Sequence, residues 1–157
     1  MYRILFVCHG NICRSPMAEF IFIDMLKKRG ISGITAQSAA TSAEEIGNPV
    51  HCGTAAVLRR LGIDHSAKRA RQMTLSDYSS FDLLIGMDGA NIRNMKRICG
   101  GDPDGKIYRL LDFTHQPRDI SDPWYSGDFE TTYADVCSGC EGLIAELVRR
   151  GVPHENA

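Results

Sequence analysis

No stretch of this 157-residue chain approaches the ~20 consecutive apolar residues that a helix needs to span a bilayer. The opening run, Met1-Tyr2-Arg3-Ile4-Leu5-Phe6-Val7-Cys8, is too short for a secretory signal and lacks a small-residue cleavage site, so a cytoplasmic protein with no membrane partner is expected. An excess of one charge is missing too. Eighteen Lys and Arg oppose nineteen Asp and Glu, a formal net charge of -1, so nucleic acid held through an overall positive field is not an expected partner. The pattern G-x-x-x-x-G-K-[ST] does not occur, and the glycines after the first apolar run do not form G-x-G-x-x-G, so nucleotide binding fits poorly and no cofactor is expected. Repeats, linkers and low-complexity tracts are absent as well.

Cysteine is the residue present in unusual number, at positions 8, 13, 52, 99, 137 and 140. This scatter lacks the paired spacing of a zinc site, so no metal is expected. In a reducing compartment structural disulfides are rare, and reactive or packing thiols remain. Cys137-x-x-Cys140 sits inside an amphipathic stretch and reads as two small apolar residues near one helix face. The length, with 43% apolar and 24% charged residues, predicts one globular domain spanning 1–157.

Apolar runs of strand length alternate with helical patterns, which predicts an α/β fold. Strands are expected at Ile4–Val7, Ile34–Ser38, Asp82–Gly86 and Lys106–Leu111. Ser15-Pro16 reads as an N-cap followed by proline at the first helical position, opening a helix whose apolar face is Ala18, Ile21, Phe22, Met25 and Leu26, with Glu19 near its start and Gly30 at its end. Further helices are expected near Gly53–Leu61, Asn91–Ile98 and Phe129–Arg150, the last after a proline-bearing loop from Thr114 to Ser126. The economical answer is a doubly wound, flavodoxin-like, four-stranded parallel sheet with helices on both faces, whose ligands bind beyond the carboxyl ends of the strands.

Cys8-His9-Gly10-Asn11-Ile12-Cys13-Arg14-Ser15 lies between the first strand and the first helix, where this fold holds anions. Gly10 has no Cβ and Asn11 tolerates positive φ, so the backbone can curl until its N–H groups point inward. Arg14 adds a planar fork matched to two oxygens of a tetrahedral oxyanion. A thiol beside an arginine at a helix N-terminus favours its thiolate, which makes Cys8 the candidate nucleophile beneath the phosphorus of a bound monoester. Ser15 can donate its hydroxyl to that sulfur. A phosphomonoester leaving group also needs a proton. Ser121-Asp122-Pro123-Trp124-Tyr125 offers an Asp beside proline and two aromatics able to wall a flat ring, while Asp112, Asp119 and Asp128 compete for the role.

The sequence resembles the low-molecular-weight protein tyrosine phosphatases over nearly its whole length. The matching motifs are V-C-x-G-N-I-C-R-S-P at Val7 to Pro16, S-A-A-T-S at Ser38 to Ser42, I-G-N-P at Ile46 to Pro49, M-D-x-x-N at Met87 to Asn91, and D-P-W-Y at Asp122 to Tyr125. The resemblance implies Cys8 as nucleophile, Arg14 as phosphate binder and transition-state clamp, and Asp122 as general acid and then base. It implies that His9, Gly10, Asn11, Ile12, Cys13, Ser15, Ser42 and Asp88 bind phosphate or support the loop, with Asn11, Ser15 and Ser42 as its hydrogen-bond network. Glu44, Trp124 and Tyr125 would line the substrate slot, and Cys13 would guard Cys8 through a reversible disulfide. The implied partners are a phosphotyrosine-containing protein or peptide as substrate and inorganic phosphate as product, acted on by a monomer with at most weak self-association.

Three positions depart from the family. His9 stands where eukaryotic members often carry leucine, Glu44 where they carry an aromatic or another substrate-lining residue, and Lys68 where some have a histidine near the phosphate loop. Lys68 otherwise belongs, with Arg69, to a stretch from Arg59 to Arg71 that reads as a solvated face. Three rival functions are weaker. A phosphoarginine phosphatase of the same family tends to have threonine at the position of Ile12. A thiol-dependent arsenate reductase needs two further cysteines after the third strand, where this chain reads Gly86-Met87-Asp88-Gly89-Ala90. A binding module without turnover would not need Asp122.

Overall fold

The computed structural model describes residues 1–152 and the backbone of residues 155–156. Its sheet contains β1 (Tyr2–Cys8), β3 (Ile34–Ala40), β4 (Leu83–Gly86) and β5 (Ile107–Arg109), all parallel, in the order β3-β1-β4-β5. The chain passes from β1 outward to β3 on one side and to β4 on the other, so the end of β1 is the point where the winding reverses. An open α/β sheet binds ligands at that point.

Alternation along β1 shows how the sheet is covered. Ile4, Phe6 and Cys8 enter a core with α1 (Arg14–Lys28), α2 (Cys52–Arg60) and α6 (Phe129–Arg149). Leu5 and Val7 enter the opposite core with α3 (Leu75–Ser80) and α4 (Gly89–Cys99). Both faces are buried, as a parallel sheet requires, so β1 is continuously apolar from Ile4 to Cys8. A short antiparallel pair joins β2 (Ile31–Ser32) to β6 (Glu155–Asn156).

The expected elements are present, with four corrections. Ser15 does not cap α1: the cap position is Cys13, Arg14 starts the helix and Pro16 falls at its third residue, because the Ser15 hydroxyl is turned to the Cys8 sulfur instead. The strand expected at Lys106–Leu111 stops at Arg109 and tightens into a 3-10 turn, Leu110–Phe113. The loop before α6 contains a short helix, α5 (Pro123–Ser126), capped by the Asp122 carboxylate. Helix α3 was not expected, since its six polar-rich residues LSDYSS carry no apolar period; a capping box between Thr74 and Asp77 starts it.

Candidate active site

Cys8 is the last residue of β1, and the chain turns back at once into α1. The turn rests on Asn11, the one non-glycine residue with positive φ among those described, at 58°. Gly10 serves differently from the expectation: a Cβ there would lie 3.3 Å from Glu45 Cγ, so glycine lets the facing loop close on the phosphate loop. The backbone N–H groups of Asn11 and Ser15 point at Cys8 Sγ from 3.3 and 3.4 Å. The Ser15 hydroxyl accepts from Asn11 Nδ2 at 2.8 Å, which leaves its proton for the sulfur at 3.0 Å. The sulfur is thus ringed by two backbone N–H groups and a hydroxyl.

Asn11 is fully engaged: Nδ2 also donates to Ser38 Oγ at 2.9 Å, and Oδ1 accepts the Arg71 N–H at 3.2 Å. Ser38 in turn donates to the buried Glu19 carboxylate. Lys68 is not solvated. Its Nζ reaches the Ser38 carbonyl at 2.9 Å and lies 3.6 Å from Glu19. Burial pushes the Glu19 carboxyl above its ordinary range against the pull of Ser38 and Lys68, and burial lowers the Lys68 ammonium against the pull of Glu19. Ser42 holds the loop from outside, donating to the His9 carbonyl at 2.9 Å; the inner network closes through Ser38.

The Arg14 guanidinium is almost wholly enclosed, with 3% of its side chain exposed. Nη1 donates to Asp88 Oδ2 at 2.7 Å and to the Ile120 carbonyl at 2.8 Å, and Nη2 faces Asp122 Oδ2 at 3.4 Å. Burial opposes its charge but is outweighed by Cys8, by the Asp88 hydrogen bond and by Asp122, so it titrates above its ordinary value. Asp88 is held in turn by a capping box with Asn91 at the start of α4.

A recess of about 100 Å³ opens over this loop, lined by Cys8, His9, Gly10, Ile12, Cys13, Arg14, Glu44, Glu45, Asp122, Trp124 and Tyr125. Of the four candidate acids only Asp122 reaches it; Asp112 and Asp119 pair with Arg109, and Asp128 caps α6. Asp122 Oδ1 accepts the Trp124 N–H at 3.1 Å, leaving its other oxygen toward Arg14. Trp124 and Tyr125 are 55% and 84% exposed, open to a ring entering from solvent. At the rim His9 Nε2 meets Glu44 Oε2 at 2.9 Å. Burial, then the neighbouring Cys8 and Asp122, push the Cys13 thiol up to about 12. Cys99 and Cys140 are buried, Cys137 is half-buried and Cys52 is exposed.

Sequence reasoning missed Ser38, Glu19, Asn91 and His51 as site residues. Ser38 and Asn91 stood inside recognised motifs without an assigned role. His51 carried a fainter signal, a ring one residue before a helix: its Nδ1 accepts the Gly53 N–H at 3.0 Å and caps α2.

A strand-loop-helix cradle that holds a cysteine sulfur under backbone donors, beside an enclosed arginine and a carboxylic acid, defines a cysteine-dependent phosphate-ester site on a flavodoxin-like sheet. The family profile of the low molecular weight phosphotyrosine protein phosphatases matches residues 3–152. The chain belongs to that family. The low molecular weight protein-tyrosine-phosphatase YfkJ of Bacillus subtilis is 44% identical over 150 residues, covering 94% of this chain and 96% of that protein. The crystal structure of YfkJ superimposes with a TM-score of 0.90 at 42% identity over 96% of each chain. PtpA of Staphylococcus aureus, also named a low molecular weight protein-tyrosine-phosphatase, is 37% identical over 95% of this chain and 96% of its own length. The Drosophila arginine phosphatase is more distant, at 25% identity and a TM-score of 0.83 over 91% of this chain and 96% of its own.

Proposed function

We propose that the chain hydrolyses phosphotyrosine in proteins, and aryl phosphate monoesters generally, through a phosphocysteine intermediate. One observation carries the mechanism: Cys8 Sγ lies at the floor of the recess under three donors, with Arg14 and Asp122 on the same opening. Cys8 attacks phosphorus as its thiolate, the S–P bond forms and the P–O bond to the tyrosine oxygen breaks. Arg14 and the loop N–H groups hold the equatorial oxygens. Asp122 gives its proton to the leaving oxygen, then takes one from the water that cleaves S–P and releases inorganic phosphate. The Ser15 hydroxyl stabilises the sulfur as it departs. Asn11, Ser42 and Asp88 keep the loop and Arg14 in place, His9, Gly10 and Ile12 shape the opening, and Glu44, Trp124 and Tyr125 line the slot. Arg14 and the N–H groups supply the charge that would otherwise call for a cation, so this reading needs no cofactor. Cys13, protonated at neutral pH, is left to resolve an oxidised Cys8 as a disulfide.

The reading is of one catalytic domain spanning 1–157, acting as a cytoplasmic monomer with at most weak self-association. Among the described residues no helix is long and apolar enough to cross a membrane. Action on phosphoarginine is the second reading, prompted by the Drosophila relative's name. Ile12 opposes it, since its buried apolar side chain lines the recess and brings no hydroxyl to the leaving group. The test is turnover of phosphotyrosine, phosphoserine and phosphoarginine substrates side by side, with vanadate as inhibitor. Vanadate-sensitive turnover of phosphotyrosine alone is expected. Comparable rates on phosphoarginine would overturn the choice.

A further inference from the structure

We propose that His51 is a positioning residue for the acid-bearing segment: its ring sets where Trp124 and α5 stand relative to the phosphate loop. The inference rests on the phosphatase reading of the site.

His51 is fixed on several sides. Its backbone N–H donates to the Ile12 carbonyl, inside the phosphate loop, at 2.9 Å. Its Nδ1 accepts the Gly53 N–H at 3.0 Å, which fixes the ring's orientation. One ring face stacks on Phe129, the first residue of α6, with centroids 5.2 Å apart and planes at 13°. Phe129 lies so close to Gly53 that a Cβ there would fall 2.4 Å from its ring, and it packs on the small cluster of Ile12, Cys13 and Ala70. The imidazole is therefore tied to the loop that holds the phosphate and to the helices on either side of it.

Against this fixed ring stands Trp124, centroids 5.5 Å apart and planes at 74°. Asp122 caps the short helix that contains Trp124, and its carboxylate accepts the Trp124 N–H. Upstream, the segment is held where Ile120 meets the Met87 carbonyl and Arg14; downstream, Asp128 caps α6. Between these anchors Asp122 faces Arg14 Nη2 at 3.4 Å and the Trp124 ring meets His51. The Trp124 backbone is hydrogen-bonded to the Asp122 carboxylate, so His51 acts on the acid and on the aromatic wall through Trp124.

Two substitutions separate the two duties of His51. His51→Asn keeps a cap acceptor and removes the ring; His51→Phe keeps a stacking ring and removes the cap. Trp124 is the only tryptophan in the chain, so its fluorescence reports the contact directly. In His51→Asn, KM for an aryl phosphate is expected to rise about two- to tenfold, the range that one aromatic contact is worth. Its kcat should fall, its acrylamide quenching of Trp124 should rise, and its inhibition constant for inorganic phosphate should hardly move, because phosphate touches the loop and not the wall. In His51→Phe the melting temperature should fall while KM and quenching stay near those of the unaltered chain. The proposal is overturned if His51→Asn leaves KM and quenching unchanged, if it weakens aryl phosphate and inorganic phosphate alike, or if His51→Phe raises KM as much as His51→Asn. Absence of any aryl phosphate turnover in the unaltered chain would instead defeat the phosphatase reading, and the quenching comparison would still report on the Trp124 contact.

Discussion

Glu19 and Lys68 lie on either side of Ser38, and each is buried at a cost that the other offsets. Removing one partner of such a pair leaves an uncompensated charge. Lys68→Met is expected to lose up to about 3 kcal/mol, the lower end for a buried pair, since the two side chains keep 12% and 11% exposure. The loss should depend on pH. The folded-state pKa of Glu19 is already above its ordinary value, and without Lys68 it rises further. A carboxyl raised on folding stabilises the protein below its unfolded pKa, and that contribution is lost as pH rises through the folded value. The variant's deficit should therefore be smallest near the ordinary carboxylate range and grow above it, measured by denaturant unfolding across pH; a deficit independent of pH would contradict the pairing. At Asp122, Asp122→Asn retains the α5 cap and the neighbour of Arg14 but has no proton to give. Its kcat should drop by about 10² to 10⁴ with little change in melting temperature, while near-normal kcat would remove Asp122 as the acid.

Helix α6 approaches the 3-10 turn after β5 through two glycines. A Cβ at Gly139 would lie 2.4 Å from Leu110 Cγ, and one at Gly142 would lie 2.1 Å from the Phe113 carbonyl oxygen. Alanine in a helix interior normally gains about 1 kcal/mol over glycine. At Gly142 the obstacle is backbone, which cannot rotate away, and overpacking of about 1–3 kcal/mol should prevail. Gly142→Ala is thus expected to lower the melting temperature, and a rise would show that the turn yields. At this scale much of the fold was legible. β1, β4 and the long helices announced themselves by apolar runs and periods, because burial on one or both faces dictates those patterns. What escaped was local or distant. Helix α3 is too short to show a period, and Ser15 looked like a cap because nothing in the sequence reveals that a sulfur seven residues earlier takes its hydroxyl. Lys68 read as solvated because its partner Glu19 is remote in sequence and meets it only once β3 lies beside β1. Cys8, Arg14 and Asp122 were legible as candidates, since they fall in short motifs of the loops beyond the strands; Ser38 works by hydrogen bonding and His51 by capping and stacking, which leave fainter traces.

Across the whole molecule the near balance of charge, -1 overall, means that no broad field draws in a dianionic substrate. On the proposed mechanism, recognition rests on the enclosed Arg14 and on backbone donors at the reversal point of the sheet. Between about 0.01 and 0.1 M sodium chloride the screening length shrinks from about 30 to about 10 Å, yet kcat/KM for a small aryl phosphate should change by less than about threefold. A steep salt dependence would place the recognition on the surface instead. The central claim is that the Cys8 sulfur takes the phosphoryl group, and it is tested most directly by turnover of a phosphotyrosine peptide by Cys8→Ser beside the unaltered chain, with phosphate binding measured on both. The account predicts no turnover by Cys8→Ser with phosphate still bound; turnover at the unaltered rate would contradict it.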